Sequence, residues 1–240
     1  MKVLAVDTSS IVATCAILDE NKLIGEYILN HKKTHSQKLM PIVKEIMESC
    51  ELKPEDIDIF AASVGPGSFT GLRIGVATIK SLAQIMDKPV VGISALEALA
   101  FNVPLAEGLV VPLIDARREN VYSAIYKWDL GKLTKIEDER VIKLEELLNT
   151  LNNRDERIIF NGDGATAYKE KIINCLGNKA IFAPKAVNMP RASSVAELAF
   201  MKAKNGEVQH YLELVPNYIK KSQAQREYEK RVKVCGKKDA

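Results

Sequence analysis

Residues 3–18 read VLAVDTSSIVATCAIL, and residues 110–126 read VVPLIDARRENVYSAIY. Each stretch is an apolar run ending on an aspartate, then a polar turn, then a second run rich in β-branched and small residues. That is the pattern of two strands joined by a tight connection. In the first stretch the strands fall at 2–6 and 11–18, with Asp7-Thr8-Ser9-Ser10 between them. After the turn Asp19-Glu20-Asn21-Lys22, residues 23–29 make a third strand. In the second stretch the strands fall at 110–114 and 121–128, separated by Asp115 and the polar turn 116–120. The turn 129–132 then leads to a third strand at 133–141.

Beyond each set of three strands the hydrophobic period changes. Leu39, Val43, Ile46 and Cys50 recur at helical spacing, which predicts a helix over about 36–50 that ends before Pro54. A strand at 57–64 leads into the glycine-rich loop 65–71, a second helix over about 71–86, and a short strand at 89–93. Ser94 and Glu97 form a capping-box pair that starts another helix. The second half repeats the plan, with helical pattern at 144–151, a strand and loop at 158–164, and a helix near 166–176. A last helix at 194–205, again with a Ser194–Glu197 cap, closes at Gly206. Three meandering strands feeding αβα is the plan of one lobe of the actin/Hsp70/sugar-kinase (ASKHA) fold. Two such lobes predict an α/β protein with duplicated βββαβα units. The expected N-terminal lobe is 1–104 and the C-terminal lobe 105–217, with the helix 194–205 able to pack back on the N-terminal lobe. Residues 218–240 form a basic C-terminal tail.

Composition narrows the class. With 47% hydrophobic and 27% charged residues, the chain of 240 residues has the balance of a soluble globular protein. Asp7 interrupts the opening apolar run, so the start does not read as a leader. No stretch approaches the ~20 apolar residues of a membrane-spanning helix. A cytoplasmic protein is expected. Cys15, Cys50, Cys175 and Cys235 are scattered, which suits reduced thiols better than a disulfide framework or a zinc site. Net charge is only +3, but residues 218–240 hold eight Lys/Arg against three Asp/Glu, a local +5 that leaves −2 on the rest. That basic end (Lys220, Lys221, Arg226, Lys230, Arg231) reads either as a solvated terminus or as a contact for phosphate or an acidic partner.

Catalytic chemistry is hard to find. Asp7, Thr8 and Ser9, with Gly65, Gly67, Ser68, Thr70 and Gly71, are the candidates for a vestigial phosphate site: hydroxyls after a strand, and glycines that let backbone N–H groups approach a ligand at a helix start. The loop is not a Walker A motif, because only three residues separate Gly67 from Gly71 and Leu72-Arg73 follows. A tight strand-to-helix connection explains the same residues. His31 and His35 are four apart, but Lys32 and Lys33 lie between them, the helix starts only near Ser36, and no third ligand is visible. No metal site and no catalytic residue are expected.

The helices 36–50 and 71–86 are apolar on more than one side, so each is either sandwiched within its own core or packs on a partner. In order along the chain, VLAVDTSS (3–10), HSQKLMP (35–41), SVGPGSFTGLRIGVATIKSLA (63–83), KPVVGISALEALA (88–100) and PLIDARRENVYSAIY (112–126) resemble the TsaB family, strongly over residues 1–128 and more loosely beyond. The resemblance implies the two-lobed fold and a non-catalytic subunit of the machinery for tRNA threonylcarbamoyladenosine. Such a subunit would pair with TsaD through the two N-lobe helices and help recruit the ATPase TsaE, with tRNA reached through the complex. It could also form homodimers. ATP/ADP and metal would belong to the partner subunits, none being tightly bound here. TsaD-type proteins carry metal-binding histidines four apart after the strand matching 89–93, where this chain has Ala95 and Leu99. Outward members of Leu39, Val43, Ile46, Leu72, Val76, Ile79 and Ala83 are the interface candidates. The competing expectation is a phospho- or carbamoyltransferase of the same fold acting alone through Asp7 and the 65–71 loop.

Overall fold

The computed structural model describes residues 1–30, 35–104 and 106–220. His31 and the cationic positions from Lys221 onward lie outside the described residues, and so does the side chain of His35.

The N-terminal sheet holds β1 (Val3–Asp7), β2 (Val12–Leu18), β3 (Leu23–Asn30), β4 (Ile59–Gly65) and β5 (Val90–Ser94), in the order β3-β2-β1-β4-β5. β1–β2 and β2–β3 are antiparallel, while β1–β4 and β4–β5 are parallel. The second sheet, built from β6 (Leu109–Asp115), β7 (Asn120–Asp129), β8 (Lys132–Lys143), β9 (Ile158–Asn161) and β10 (Ala180–Phe182), has the matching order β10-β9-β6-β7-β8. Its strand directions correspond one for one. The duplication expected from the two hairpins is therefore present, and the fifth strand of the second lobe, β10, is an element that its three residues were too few to signal.

Alternation along the strands assigns the layers. In β1, Leu4 and Val6 face a core shared with α1 (His35–Ser49) and α2 (Phe69–Met86), whereas Val3 and Ala5 face the opposite layer. That opposite layer consists of α3 (Ala95–Phe101) and α7 (Ala192–Lys204). In β6, Leu109, Val111 and Leu113 pack toward α4 (Leu144–Asn152), α5 (Asp163–Ala167) and α6 (Lys169–Leu176). Val110 and Ile114 point the other way, onto α3. Burial on both faces is why the central strands read as continuous apolar runs. It also makes α3 the layer shared by both sheets.

The last helix packs on the N-terminal sheet through Val195, Ala196, Ala199 and Phe200. Its start differs from expectation. α7 begins at Ala192 with Arg191 as the cap residue and no side-chain cap bond. The Ser194 hydroxyl donates instead to Asn102 Oδ1 at 2.6 Å, so Ser194 pins the helix to the end of α3. Arg191 pairs with the Glu26 carboxylate of β3, which also accepts from Ser193. Ser94, by contrast, caps α3 as expected, accepting from Leu96 N and Glu97 N.

After α7 the chain returns along the N-terminal lobe as a strap. Gln209 bridges Val90 at the free edge of β5, Leu214 enters the α1/α2 core, and Asn217 N donates to Val64 O. Lys80 Nζ on α2 donates to the carbonyls of Leu212 and Leu214. Residues 192–217 thus belong physically with the first lobe, although they follow the second in sequence.

Candidate functional site

The turn after β1 and the glycine-rich loop are in direct contact, and they fill each other's space. Ser9 N and Oγ both donate to Asp7 Oδ1, at 2.8 and 2.7 Å. Ser68 N donates to Ser9 O at 2.7 Å, and Thr8 Oγ1 donates to Gly71 O at 2.8 Å. Asp7, Thr8 and Ser9 are each only 1% exposed. A Cβ on Gly67 would stand 2.2 Å from Ser9 O, and one on Gly71 would stand 2.0 Å from Thr8 O. Gly65, at φ +115°, would put its Cβ 2.8 Å from Asn217 O in the strap. These glycines let backbone seat on backbone, which is the connection reading of the loop. Ser68 caps α2 by accepting from Gly71 N, so Phe69 and Thr70 already belong to the helix. Of the eight phosphate-site candidates only Ser68 and Thr70 are exposed.

The second lobe repeats the device. A Cβ on Gly162 would meet Leu113 O at 2.2 Å, so the Gly162-Asp163-Gly164 turn serves close strand-to-helix packing. Asp115, at the end of β6, accepts from Tyr168 OH at 2.8 Å and from Arg117 N at 2.9 Å. The Tyr168 hydroxyl is pushed up to about 12, first by its removal from water and then by the Asp115 carboxylate, which keeps it a proton donor.

All seven interface candidates on α1 and α2 are core residues of this chain. Leu39, Val43, Ile46, Leu72, Val76, Ile79 and Ala83 are none of them more than 4% exposed, and six of them join the cluster beneath the first sheet. The expectation of outward-facing members among them is corrected on that ground. The regular stripe of each helix faces its own sheet, so any partner must meet the residues off the stripe. Those are Ile85 at 72% exposure, Met40 at 47%, the exposed Pro41, Ala77 and Ser81, and the half-buried Ile74 and Leu82.

Ala95 and Leu99 of α3 are both buried, in the apolar layer shared with Val110, Ile114, Tyr122 and Tyr126 of the second sheet. Leu99 O also accepts from Asn161 Nδ2 at 2.6 Å, which ties the second lobe to this helix. Among the described residues no group of three or more His, Cys, Asp and Glu side chains could hold a metal ion. Nor is any helix there long and apolar enough to cross a membrane.

Two features gave no signal in the sequence. The β6–β7 turn carries three successive non-glycine residues in the left-handed region, Arg117, Arg118 and Glu119, at φ +64°, +55° and +58°. Each costs about 1–2 kcal/mol for an L-residue. Asn120 Nδ2 holds the turn by donating to the carbonyls of Arg117 and Arg118, and Leu144 N donates to Glu119 O. The other feature is the end of the strap. Tyr218 stacks on Phe69 with centroids 4.7 Å apart, Arg73 Nε donates to its hydroxyl, and Lys220 Nζ donates to Ala116 O.

The family model described as "TsaD: tRNA N6-adenosine threonylcarbamoyltransferase" matches residues 22–228. The tRNA threonylcarbamoyladenosine biosynthesis protein TsaB of Bacillus subtilis (strain 168) is 36% identical, over 94% of this chain and 96% of its own length. The protein of the same name from Haemophilus influenzae is 31% identical, over 92% and 94%. Among solved structures, YeaZ from Pseudomonas aeruginosa superimposes with a TM-score of 0.77 at 25% identity, covering 90% of this chain and 99% of that one. The ethanolamine utilization protein EutJ from Carboxydothermus hydrogenoformans shares the fold at a TM-score of 0.50 and 13% identity, over 82% of this chain and 89% of its own.

Proposed function

The chain belongs to the TsaB family, whose relative TsaD supplies the family model it matches, and from that premise we propose that it is the non-catalytic subunit that holds TsaD competent for threonylcarbamoyl transfer to tRNA. It takes part in tRNA threonylcarbamoyladenosine biosynthesis. The transfer is to the adenosine next to the anticodon, the setting is cytoplasmic, and TsaE joins the pair. ATP/ADP and metal reside on the partners, with none tightly bound to this chain.

The observation that carries the reading is the state of α3. At the two positions where the resemblance puts metal-binding histidines, this chain has Ala95 and Leu99, both packed into an apolar layer between the lobes. Neither side chain has a lone pair to offer a cation, and filling the layer with imidazoles would bury polar groups without partners. The closed contact between the 7–9 turn and the 65–71 loop supports the same reading. Asp7 is too deeply buried to act on a substrate unless that contact opens.

The pairing surface is the outward side of α1 and α2, where Met40, Ala77 and Ile85 stand exposed. Light-scattering chromatography of this chain with the TsaD of the same organism tests the proposal. A 1:1 complex is expected, lost on Ile85→Asp combined with Ala77→Asp. Absence of any complex at micromolar concentration, with or without TsaE and ATP, sinks it. Turnover of ATP by the isolated chain that disappears in Asp7→Ala would instead establish the lone-transferase reading.

A further inference from the structure

We propose that the surface carrying the Arg117–Arg118 turn, Lys220 bonded to that turn at Ala116 O, and Arg73 against the stacked Phe69–Tyr218 pair is a docking surface for the phosphodiester backbone of RNA. The inference rests on the reading that this chain works in a tRNA-modifying complex, and it gives the chain a contact with the RNA of its own. Four observations converge on this place. First, Arg117 and Arg118 are exposed, and neither they nor Arg73 form an ion pair among the described residues, a state shared there with Arg157, whereas Arg140, Arg154 and Arg191 are all paired. Second, both sit on a left-handed turn fixed from several sides, by Asn120, by Asp115 and by Lys220. Strained backbone of this kind persists where a fixed presentation is used. Third, Tyr218 is 39% exposed with Arg73 against it, and aromatic rings interleaved with arginine suit stacking and phosphate contact together. Fourth, Lys220 adds a cation at this turn, where its Nζ donates to Ala116 O.

The acidic groups nearby are turned to internal use. Asp115 accepts from Tyr168 and Arg117, Asp163 accepts from Asp115 N, and Glu119 pairs with Lys171. Arginine and an exposed ring favour RNA over an acidic protein, for which lysine-rich charge without stacking would serve.

The test is fluorescence anisotropy of the full chain with an unmodified tRNA transcript across a salt series. The variant is Arg73→Gln/Arg117→Asn/Arg118→Asn, asparagine being tolerant of the left-handed region. Circular dichroism confirms that it folds. Wild type is expected to bind with a steep salt slope, and the variant's slope should be smaller by about 2–3, at about 0.9 per lost phosphate contact. Three results overturn the inference: no binding by wild type at low salt, an unchanged slope in the folded variant, or displacement by polyglutamate as effective per charge as by RNA. Deleting residues 221–240 separates the tail from the surface. A further loss on adding the three substitutions to the truncated chain supports the surface, and no further loss assigns binding to the tail. Mixing each chain with TsaD reports on pairing independently, so failure of the scaffold reading and failure of this one are distinguishable.

Discussion

At the scale of single residues, the chain's glycines act where one backbone must touch another. Gly71 has no left-handed backbone to excuse it. Its requirement is the Thr8 carbonyl, which a Cβ would approach to 2.0 Å, with Ser68 behind it. A contact that short to a backbone atom cannot be relieved by a side-chain rotation. Gly71→Ala should therefore cost about 1–3 kcal/mol, as overpacking does, measured by urea unfolding. Full stability in that variant would show that the turn and loop part easily, which would return Asp7 to consideration as a ligand group. Asp19 offers a pH test in the β2–β3 turn. Its Oδ1 accepts from the backbone N–H of Asn21 and Lys22, and these bonds hold the carboxyl below its usual range. The ionised form is the bonded one, so its contribution is full above the unfolded value of about 3.9 and fades as pH falls through the lowered native value. Asp19→Asn keeps an acceptor and removes the charge. The melting temperature of wild type should exceed that of the variant at pH 7 and at pH 5, with the gap closing only below pH ~4. A gap that is constant down to pH 2 would mean that the charge contributes nothing. Residue type alone signalled the Asp19 turn and the glycine loop. It could not signal the left-handed trio at Arg117–Glu119, because none of the three is glycine or asparagine and the restraint comes from Asn120 and the partners of Asp115.

At the scale of elements, the hydrophobic period located α1 and α2 correctly and misdirected the choice of interface residues. Leu72, Val76, Ile79 and Ala83 form the regular stripe of α2, and a regular stripe is what a helix buries in its own domain. Only the remainder is open to a partner, and it has no period of its own. Ile79→Asp should accordingly fail to fold, since a carboxylate would replace a fully buried side chain without a partner. Ile85→Asp should change stability by no more than about 0.5 kcal/mol, as surface substitutions do, and on the proposed pairing it should weaken the complex with TsaD. Thermal melting and chromatography read the two effects separately. Pairing that survives Ile85→Asp would move the interface off α2. The start of α7 differs from the capping pattern in the sequence for a related reason. Ser194 and Glu197 have capping-box spacing, but whether a serine caps or reaches elsewhere depends on what lies above it, and here that is Asn102, 92 positions away in the chain. The strap had no pattern to read at all, since its order comes from Lys80 and from the edge of β5.

At the scale of the molecule, the duplication was legible because each lobe opens with the same strand–aspartate–turn–strand phrase. How the lobes are joined was not. Both halves of the junction are ordinary apolar residues whose destination depends on which face of the second sheet α3 covers. The structure places α3 between the sheets, with Leu99 buried on the second lobe and its carbonyl bonded to Asn161. α7 and the strap carry the chain's end back to the first lobe. A polypeptide that leaves a lobe, builds another, and returns to complete the first should unfold as one unit. Trp128, the only tryptophan, reports directly on the seam, because it lies on β7 in the second lobe with its ring 5.3 Å from Phe101 of α3. Tryptophan fluorescence and far-UV circular dichroism should therefore give coincident urea transitions. Leu99→Ala should lower stability by about 2–5 kcal/mol through the cavity it leaves, moving both midpoints together. If fluorescence shifted alone while the dichroism midpoint stayed in place, the lobes would be separable bodies meeting at a soft contact. A common shift means that the two lobes unfold as one cooperative body across the α3 seam.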